Sequence, residues 1–198
     1  MLFPPDDPVV PQGFQYVPEW ISPLEEQALL GWVEALSFSD IRMHGVLAKR
    51  RVVHFGWDYG YESWQIAPTE PIPTWLMPLR QRAAALLTLP VDALEEVLVT
   101  RYDAGAGIGW HRDAPMFGPT VIGVSLLSAC RMRFQRTTKI GRETAQWVLD
   151  PRSAYVLSGP ARATWQHSIP PTKALRYSIT FRTVKRLHDN KGVTELQG

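Results

Sequence analysis

The sequence predicts a mainly β protein with flanking helices (α+β), in which a double-stranded β-helix, or jelly roll, forms the core and N-terminal helices pack outside it. Two helical segments lie early in the chain, at least six short strand-like segments follow Leu94, and turn residues separate those segments closely. The 198 residues are enough for one domain with a substantial core. We therefore expect a single domain over residues 1–198.

Two helices are expected from capping residues and apolar spacing. Ser22, Pro23 and Glu25 form a capping-box pattern, with serine at the N-cap and proline at the first helical position. Apolar residues at helical spacing extend this helix to about Leu36. A second helix is predicted over residues 73–87.

Short segments that alternate in polarity, or carry β-branched and aromatic residues, predict a jelly-roll catalytic core over residues 95–183. The predicted strands are Glu95–Tyr102, Thr120–Leu127, Arg131–Gln135, Ala145–Leu149, Ala154–Leu157 and Arg176–Arg182. A short strand is also expected within residues 13–20. Residues 38–71 have no helical period and many aromatic side chains, which favours short strands joined by mobile turns and forming a flap.

Composition narrows the class of protein. The net charge of +2 is too small to indicate a nucleic-acid partner by itself. The single cysteine, Cys130, excludes an internal disulfide framework and is expected to be a buried strand residue. No apolar run reaches transmembrane length, and residues 1–12 are expected to form a loose arm without a signal-peptide pattern. We expect a soluble protein of a reducing intracellular compartment, the cytoplasm in a prokaryote, with no membrane partner.

A His-x-Asp pair, His111 and Asp113, ends a glycine-rich stretch that begins at Arg101. On an extended backbone, residues two apart project from the same face, so both side chains can reach one point. The pair alone arises readily by chance, but His167 supplies a second imidazole far downstream. Two histidines and one carboxylate on one face of an octahedral metal leave three positions open, which is the arrangement of non-haem Fe(II) oxygenases.

The strand predicted at residues 176–182 tests this idea. Its alternate residues Arg176, Ser178, Thr180 and Arg182 point to one side. Two arginines that face the interior of a barrel need anionic partners. A dicarboxylate such as 2-oxoglutarate supplies two carboxylates, and each matches the planar guanidinium.

From Leu98 to Arg182 the sequence resembles the AlkB family of Fe(II)- and 2-oxoglutarate-dependent dioxygenases. The motifs that carry the resemblance are Tyr102, Gly107–Asp113, Trp165–Ile169 and Arg176–Arg182, with less specific matches at Arg51 and Phe55-Gly56. The resemblance implies an enzyme that binds Fe(II) and uses 2-oxoglutarate and O2 as co-substrates.

The resemblance also implies a role for each matching residue. His111, Asp113 and His167 are expected to hold Fe(II) and to act in catalysis through it. Arg176 is expected to pair with the distal carboxylate of 2-oxoglutarate, and Arg182 with the carboxylate beside the keto group.

Four further residues are expected to complete the 2-oxoglutarate pocket. Tyr102 would assist Arg176 through its hydroxyl, while Ser178 and Thr180 would line the pocket beside the arginines. Thr100 and Ser178 stand where family members often carry asparagine. Both can still form hydrogen bonds.

The reaction that the resemblance implies is oxidative demethylation of N-alkylated bases, such as 1-methyladenine and 3-methylcytosine, in direct-reversal alkylation repair. Oxidation of the N-methyl group gives an unstable hemiaminal, which releases formaldehyde. In this family the segment before the barrel forms a lid, so residues 38–71 are expected to recognise the substrate. Basic and aromatic side chains suit a flipped base. Those expected to contact it are Arg50, Arg51, Phe55, Trp57, Tyr59 and Tyr61.

Other interpretations remain open at this point. The same oxygenase core could act on a protein side chain or a small molecule, or a jelly roll could bind metal without catalysis. The ligand set together with two arginines argues against the last. Phe55 and Trp57 could instead belong to the core, with the neighbouring arginines solvated. The basic and aromatic segment favours nucleic acid, and single-stranded DNA or RNA is favoured over a duplex because no wedge residue can be identified.

Overall fold

The computed structural model describes residues 10–43, 45–60 and 65–185, so most of the expected N-terminal arm lies outside the described residues. The helices are α1 (Pro23–Val33), α2 (Met77–Leu87) and α3 (Gly159–Ala163), with 3-10 turns at Thr74–Leu76 and Val91–Ala93. The strands are β1 (Phe14–Val17), β2 (Ser39–Met43), β3 (Val46–Phe55), β4 (Trp57–Tyr59), β5 (Ile66–Pro68), β6 (Glu96–Tyr102), β7 (Ile108–His111), β8 (Phe117–Leu126), β9 (Cys130–Thr138), β10 (Gly141–Leu149), β11 (Ala154–Leu157), β12 (Gln166–Ile169) and β13 (Arg176–Val184).

Two antiparallel sheets form the jelly roll. The major sheet has the strand order β1-β11-β8-β13-β6-β3-β2, and the minor sheet has the order β10-β9-β12-β7. One hydrophobic core joins them, since Phe14, Val121 and Tyr155 of the major sheet pack with Met132 and Phe134 of the minor sheet. The predicted fold class is confirmed.

A second core lies on the other face of the major sheet, where the helices pack. Leu29 and Val33 of α1, with Leu79 and Ala83 of α2, join the same buried cluster as Val99 of β6. Because both faces of the central strands are covered, β6 and β13 are buried along nearly their whole length. Among the described residues, no helix is long and apolar enough to cross a membrane.

Helix α1 begins with the predicted capping box. The Ser22 hydroxyl accepts a hydrogen bond from the Glu25 amide, and the Glu25 carboxylate accepts one from the Ser22 amide. The helix ends at Val33 rather than at Leu36. Of the apolar residues at helical spacing, only part of the set is buried: Trp32 is exposed and stacks on Trp75.

The segment over residues 38–71 differs from the expected flap. Strands β2 and β3 belong to the major sheet, where β3 pairs with β6 from Arg51 opposite Arg101 to Phe55 opposite Val97. Only β4 and β5 form a separate hairpin. Side chains from β3 are therefore fixed by the hydrogen-bonded register of a central strand.

We expect Ser22→Ala to destabilise the protein by about 1 kcal/mol, because one orphan amide at the start of α1 loses its acceptor. For a chain of this size the midpoint of thermal unfolding should fall by about 2–4 °C. Ser37→Ala is the matched control, since Ser37 is exposed and caps no helix. Equal melting temperatures for both variants would show that the cap contributes nothing.

Candidate active site

A cavity of about 570 Å³ is bounded by residues of both sheets. It gathers most of the residues expected in the metal and 2-oxoglutarate sites, which come from five different strands and one loop. The expected residues that line it are Arg50, Tyr59, Thr100, Tyr102, His111, Asp113, His167, Ser178, Thr180 and Arg182. Arg176 does not line it, but lies buried beside Tyr102.

The two histidines are brought together by strands that were not predicted. β7 and β12 pair antiparallel with His111 directly opposite His167, and the two ring centroids are 4.2 Å apart. Asp113 lies just beyond the end of β7, and its Oδ2 is 3.9 Å from His167 Nε2. Both strands have four residues, which is too short for a clear alternation in the sequence.

The glycines before the His-x-Asp pair permit this arrangement. Gly105 has φ +82°, which glycine adopts without strain. A Cβ atom on Gly107 would lie 2.5 Å from the carbonyl oxygen of Ile169, so only glycine lets this turn approach β12 so closely. His111 Nδ1 donates to the carbonyl oxygen of Gly109 at 2.9 Å, which leaves Nε2 unprotonated for a ligand.

The electrostatics of the three side chains suit a divalent cation. Burial by itself raises the pKa of the Asp113 carboxyl, but Arg182, with Nε 3.5 Å from Oδ1, and the two histidines lower it to about 2. Burial lowers the pKa of His167 to about 3 and also lowers that of His111. At neutral pH the group therefore holds one carboxylate and two neutral imidazoles, the protonation states that bind a metal.

The donor set fits the expected Fe(II), although its geometry is open. Within residues 10–43, 45–60 and 65–185, no three histidine, cysteine or acidic side chains already have the geometry of a metal site. The distances between His111, Asp113 and His167 are short enough for side-chain rotation to bring the donors together. Metal binding is thus expected to draw in these three side chains.

Arg176 fits a carboxylate ligand. Its side chain is fully buried, with the guanidinium carbon 5.0 Å from the Tyr102 ring centroid. Nη2 donates to Ser125 Oγ at 3.1 Å, whereas Nε and Nη1 have no hydrogen-bond partner in the described part of the chain. A buried cation with unused donors is costly without an anion, and a carboxylate of 2-oxoglutarate would satisfy it.

Arg182 lies between two carboxylates. Its Nε is 3.5 Å from Asp113 Oδ1 and 3.7 Å from Glu96 Oε2, and its guanidinium covers the Phe117 ring at 4.5 Å. Glu96 is fully buried, stands opposite Arg182 on β6, and also contacts His54 Nδ1 at 3.3 Å. The sequence prediction missed Glu96, for which an acid inside an otherwise apolar strand was the available signal.

Tyr155 is a second cavity residue that the sequence prediction missed. It is buried, and burial raises the pKa of its hydroxyl. Gly123 stands opposite it on β8, where an added Cβ atom would lie 2.3 Å from the Tyr155 ring. A glycine inside a predicted strand was the signal for such a close approach.

Arg162 fixes the loop that carries Asp113. From the short helix α3, its Nη1 donates to the carbonyl oxygen of Asp113 at 3.1 Å and its Nη2 to that of Ala114 at 3.0 Å. This arginine was not predicted, because its partners are backbone atoms far away in sequence.

The structure corrects the expected substrate contacts. Arg50 is buried in the cavity wall, whereas Arg51 points to the other face of β3 and pairs with Asp103 at 2.8 Å. Phe55 packs in the core beneath the helices because it shares the outward side with Arg51. Tyr59 lines the cavity and Trp57 does not, while Tyr61 lies outside the described residues.

We expect His111→Ala, Asp113→Ala and His167→Ala each to abolish tight binding of Mn(II), a redox-stable stand-in for Fe(II), as titrated by electron paramagnetic resonance. Each change removes one of three ligands. Asp103→Asn should bind Mn(II) like the unaltered protein, since Asp103 is paired with arginines outside the cavity. Retained binding in any alanine variant would remove that residue from the site.

Arg176→Gln is expected to weaken 2-oxoglutarate binding by roughly 10–100-fold, the loss of a charge-assisted hydrogen bond. Calorimetry on the Mn(II)-loaded protein measures this directly. Arg101→Gln is the matched control, because Arg101 lies on neighbouring β6 but pairs with Asp103. An unchanged affinity in Arg176→Gln would assign the carboxylate to another residue.

Comparisons with known proteins agree with this geometry. The family model of the 2OG-Fe(II) oxygenase superfamily matches residues 13–182. The solved structure of OsALKBH1 has a TM-score of 0.65 over 88% of this chain and 98% of that chain, at 13% identity, and so shares the fold.

Curated relatives are similar over most of this chain. The Alkylated DNA repair protein ALKBH8 homolog of Arabidopsis thaliana is 28% identical over 87% of this chain and 58% of its own length. The tRNA (carboxymethyluridine(34)-5-O)-methyltransferase ALKBH8 of Mus musculus is 30% identical over 92% of this chain and 27% of its own length. The Probable RNA/DNA demethylase ALKBH6 of Danio rerio is 29% identical over 64% of this chain and 51% of its own length.

The chain spans at most 58% of these three relatives. Its enzyme class follows from the family: it is a dioxygenase that uses Fe(II), with 2-oxoglutarate and O2 as co-substrates. Taken with the AlkB relatives and the shared fold, the match over residues 13–182 shows that the chain belongs to the 2OG-Fe(II) oxygenase superfamily, within its AlkB family.

Proposed function

We propose that this enzyme removes alkyl groups from the ring nitrogens of bases in single-stranded DNA or RNA, as in direct-reversal repair. One oxygen atom of O2 enters a C–H bond of the N-methyl group and the other enters succinate. Decarboxylation of 2-oxoglutarate supplies half of the electrons that reduce O2, and the methyl carbon supplies the other half. The hydroxymethyl group then leaves as formaldehyde, and its hydroxyl proton is transferred to the base nitrogen.

The residues of the chain divide this work between them. His111, Asp113 and His167 hold Fe(II), which activates O2 when 2-oxoglutarate is also bound. Arg176 and Arg182 orient the two carboxylates of 2-oxoglutarate through charge-assisted hydrogen bonds. The walls of the cavity exclude water from the metal, which limits oxidation that is not coupled to the substrate.

The observation that carries the proposal is the composition of the cavity mouth. Trp110 and Arg112 line it on one side, with Tyr59 and Arg50 contributing from the other sheet and the β4–β5 hairpin. Trp110 is partly exposed although it is a large aromatic residue. Aromatic faces and guanidinium groups beside a deep cavity suit an extruded base and its neighbouring phosphates.

A second observation supports an extended ligand. The Arg133 guanidinium lies 4.9 Å from the Trp110 ring centroid, and its Nε donates to Ser168 Oγ at 3.1 Å. This holds a cation on the outer side of the minor sheet, next to the mouth. A phosphate beside the extruded base could pair with it.

The names of the relatives point to the same class of substrate. They refer to DNA repair, RNA or DNA demethylation, and tRNA modification. The methyl transfer in the name of the mouse protein is not carried over, because this chain covers only 27% of that protein.

The test is to load the protein with Fe(II) and 2-oxoglutarate without oxygen, add air, and present single-stranded oligonucleotides that each carry one methylated base. We expect formaldehyde and the unmodified base in equal amounts, with His111→Ala inactive. Succinate formed at the same rate with and without every methylated oligonucleotide would contradict the proposal.

Salt dependence separates nucleic acid from a protein or small-molecule substrate. Binding of single-stranded oligonucleotides should weaken steeply as salt rises, because phosphate contacts release counterions. Arg133→Gln should reduce that slope, whereas Arg82→Gln should not, since Arg82 pairs with Glu25 on the far side of the major sheet. A slope near zero for the unaltered protein would favour the alternative substrates.

A further inference from the structure

The charged side chains that line the cavity are mostly cationic. They are Arg50, Arg112 and Arg182, and Asp113 is the one acid among the described lining residues. Asp113 is already committed to the metal and to Arg182. No carboxylate of the described cavity wall is therefore left to face a substrate.

Arg50 is the cation that the known components leave unmatched. Arg176 and Arg182 face the two carboxylates of 2-oxoglutarate, while Asp113 and Glu96 offset the charge of the arginines. The charge of Fe(II) balances that of the 2-oxoglutarate dianion. Arg50 is more than nine-tenths buried and has neither an ion pair nor a hydrogen bond to any described residue.

The position of Arg50 is set by the sheet. β3 pairs with β6 so that Val52 stands opposite Thr100, and Arg50, two residues earlier, shares the cavity side with Thr100 and Tyr102. A buried guanidinium has only donors, so it needs an acceptor from the ligand.

The common methylated bases differ in charge and in hydrogen-bonding groups. Methylation at N1 of adenine or N3 of cytosine leaves a cation at neutral pH, next to an amino donor. Methylation at N3 of thymine or uracil, or at N1 of guanine, leaves a neutral base with a carbonyl acceptor beside the methylated nitrogen.

We infer that the site takes a neutral base with a carbonyl oxygen beside its alkylated nitrogen, and that Arg50 donates to this oxygen. The inference rests on the proposed function and narrows its substrate class. It reverses the preference for 1-methyladenine and 3-methylcytosine that the family resemblance implied. A cationic base would meet the positive charge of Arg50 with no carboxylate in the described wall to compensate.

The experiment compares four oligonucleotides that differ only in one base: 3-methylthymine, 1-methylguanine, 1-methyladenine or 3-methylcytosine. Formaldehyde release gives kcat/KM, and anaerobic binding to the Mn(II)- and 2-oxoglutarate-loaded protein gives a readout that does not depend on turnover. We expect the neutral bases to be favoured by about tenfold or more in both, the effect of one charge-assisted hydrogen bond.

Variants at Arg50 test the cause. Arg50→Gln should remove most of the preference, and Arg50→Lys, which keeps the charge, should retain discrimination against the cationic bases. Arg51→Gln is the matched control, because its side chain lies on the opposite face of β3 and pairs with Asp103. Should Arg50→Gln fail to fold, the unaltered protein and Arg50→Lys still decide the matter.

The outcomes distinguish the inference from the proposed function. A preference of the unaltered protein for the cationic bases, or an equal preference in folded Arg50→Gln, overturns the inference and leaves demethylation standing. Formaldehyde from none of the four bases overturns both.

Discussion

The interior of the barrel holds four buried charges whose balance governs the site. Arg176 and Arg182 project from alternate positions of β13, Glu96 faces Arg182 from β6, and Asp113 approaches it from the loop after β7. Charges removed from water are tolerated only when they are matched. The acids partly offset the arginines, and Arg176 keeps two donors for a ligand anion. The same balance keeps Asp113 ionised, as metal binding requires.

Period-two alternation decides which residues reach the cavity. Along β13 it sends Ser178, Thr180 and Arg182 into the site and Phe181 into the core beneath the helices. Along β3 it separates two adjacent arginines that look equivalent in the sequence. One lines the cavity, and the other pairs with Asp103 on the far side.

The sequence predicted the fold class, both long helices, most of the central strands and the residues that the cavity gathers, because those features depend on local periodicity and on a specific motif. It did not predict that β3 joins the major sheet, since its pairing with β6 is a long-range contact. Arg162 escaped prediction for a related reason, as its partners are backbone carbonyl oxygens. Glu96 could have been recognised, because a buried acid in an apolar strand requires a cationic partner.

The central claim is that one cavity binds the metal and the co-substrate through residues of both sheets. A crystal structure of the protein with Mn(II) and 2-oxoglutarate, with the metal located by anomalous scattering, tests it most directly. The account predicts the metal bound by His111, Asp113 and His167, with one carboxylate of 2-oxoglutarate on Arg176 and the other on Arg182. Metal bound away from these three side chains, or a 2-oxoglutarate carboxylate that leaves Arg176 without an anion, would contradict it.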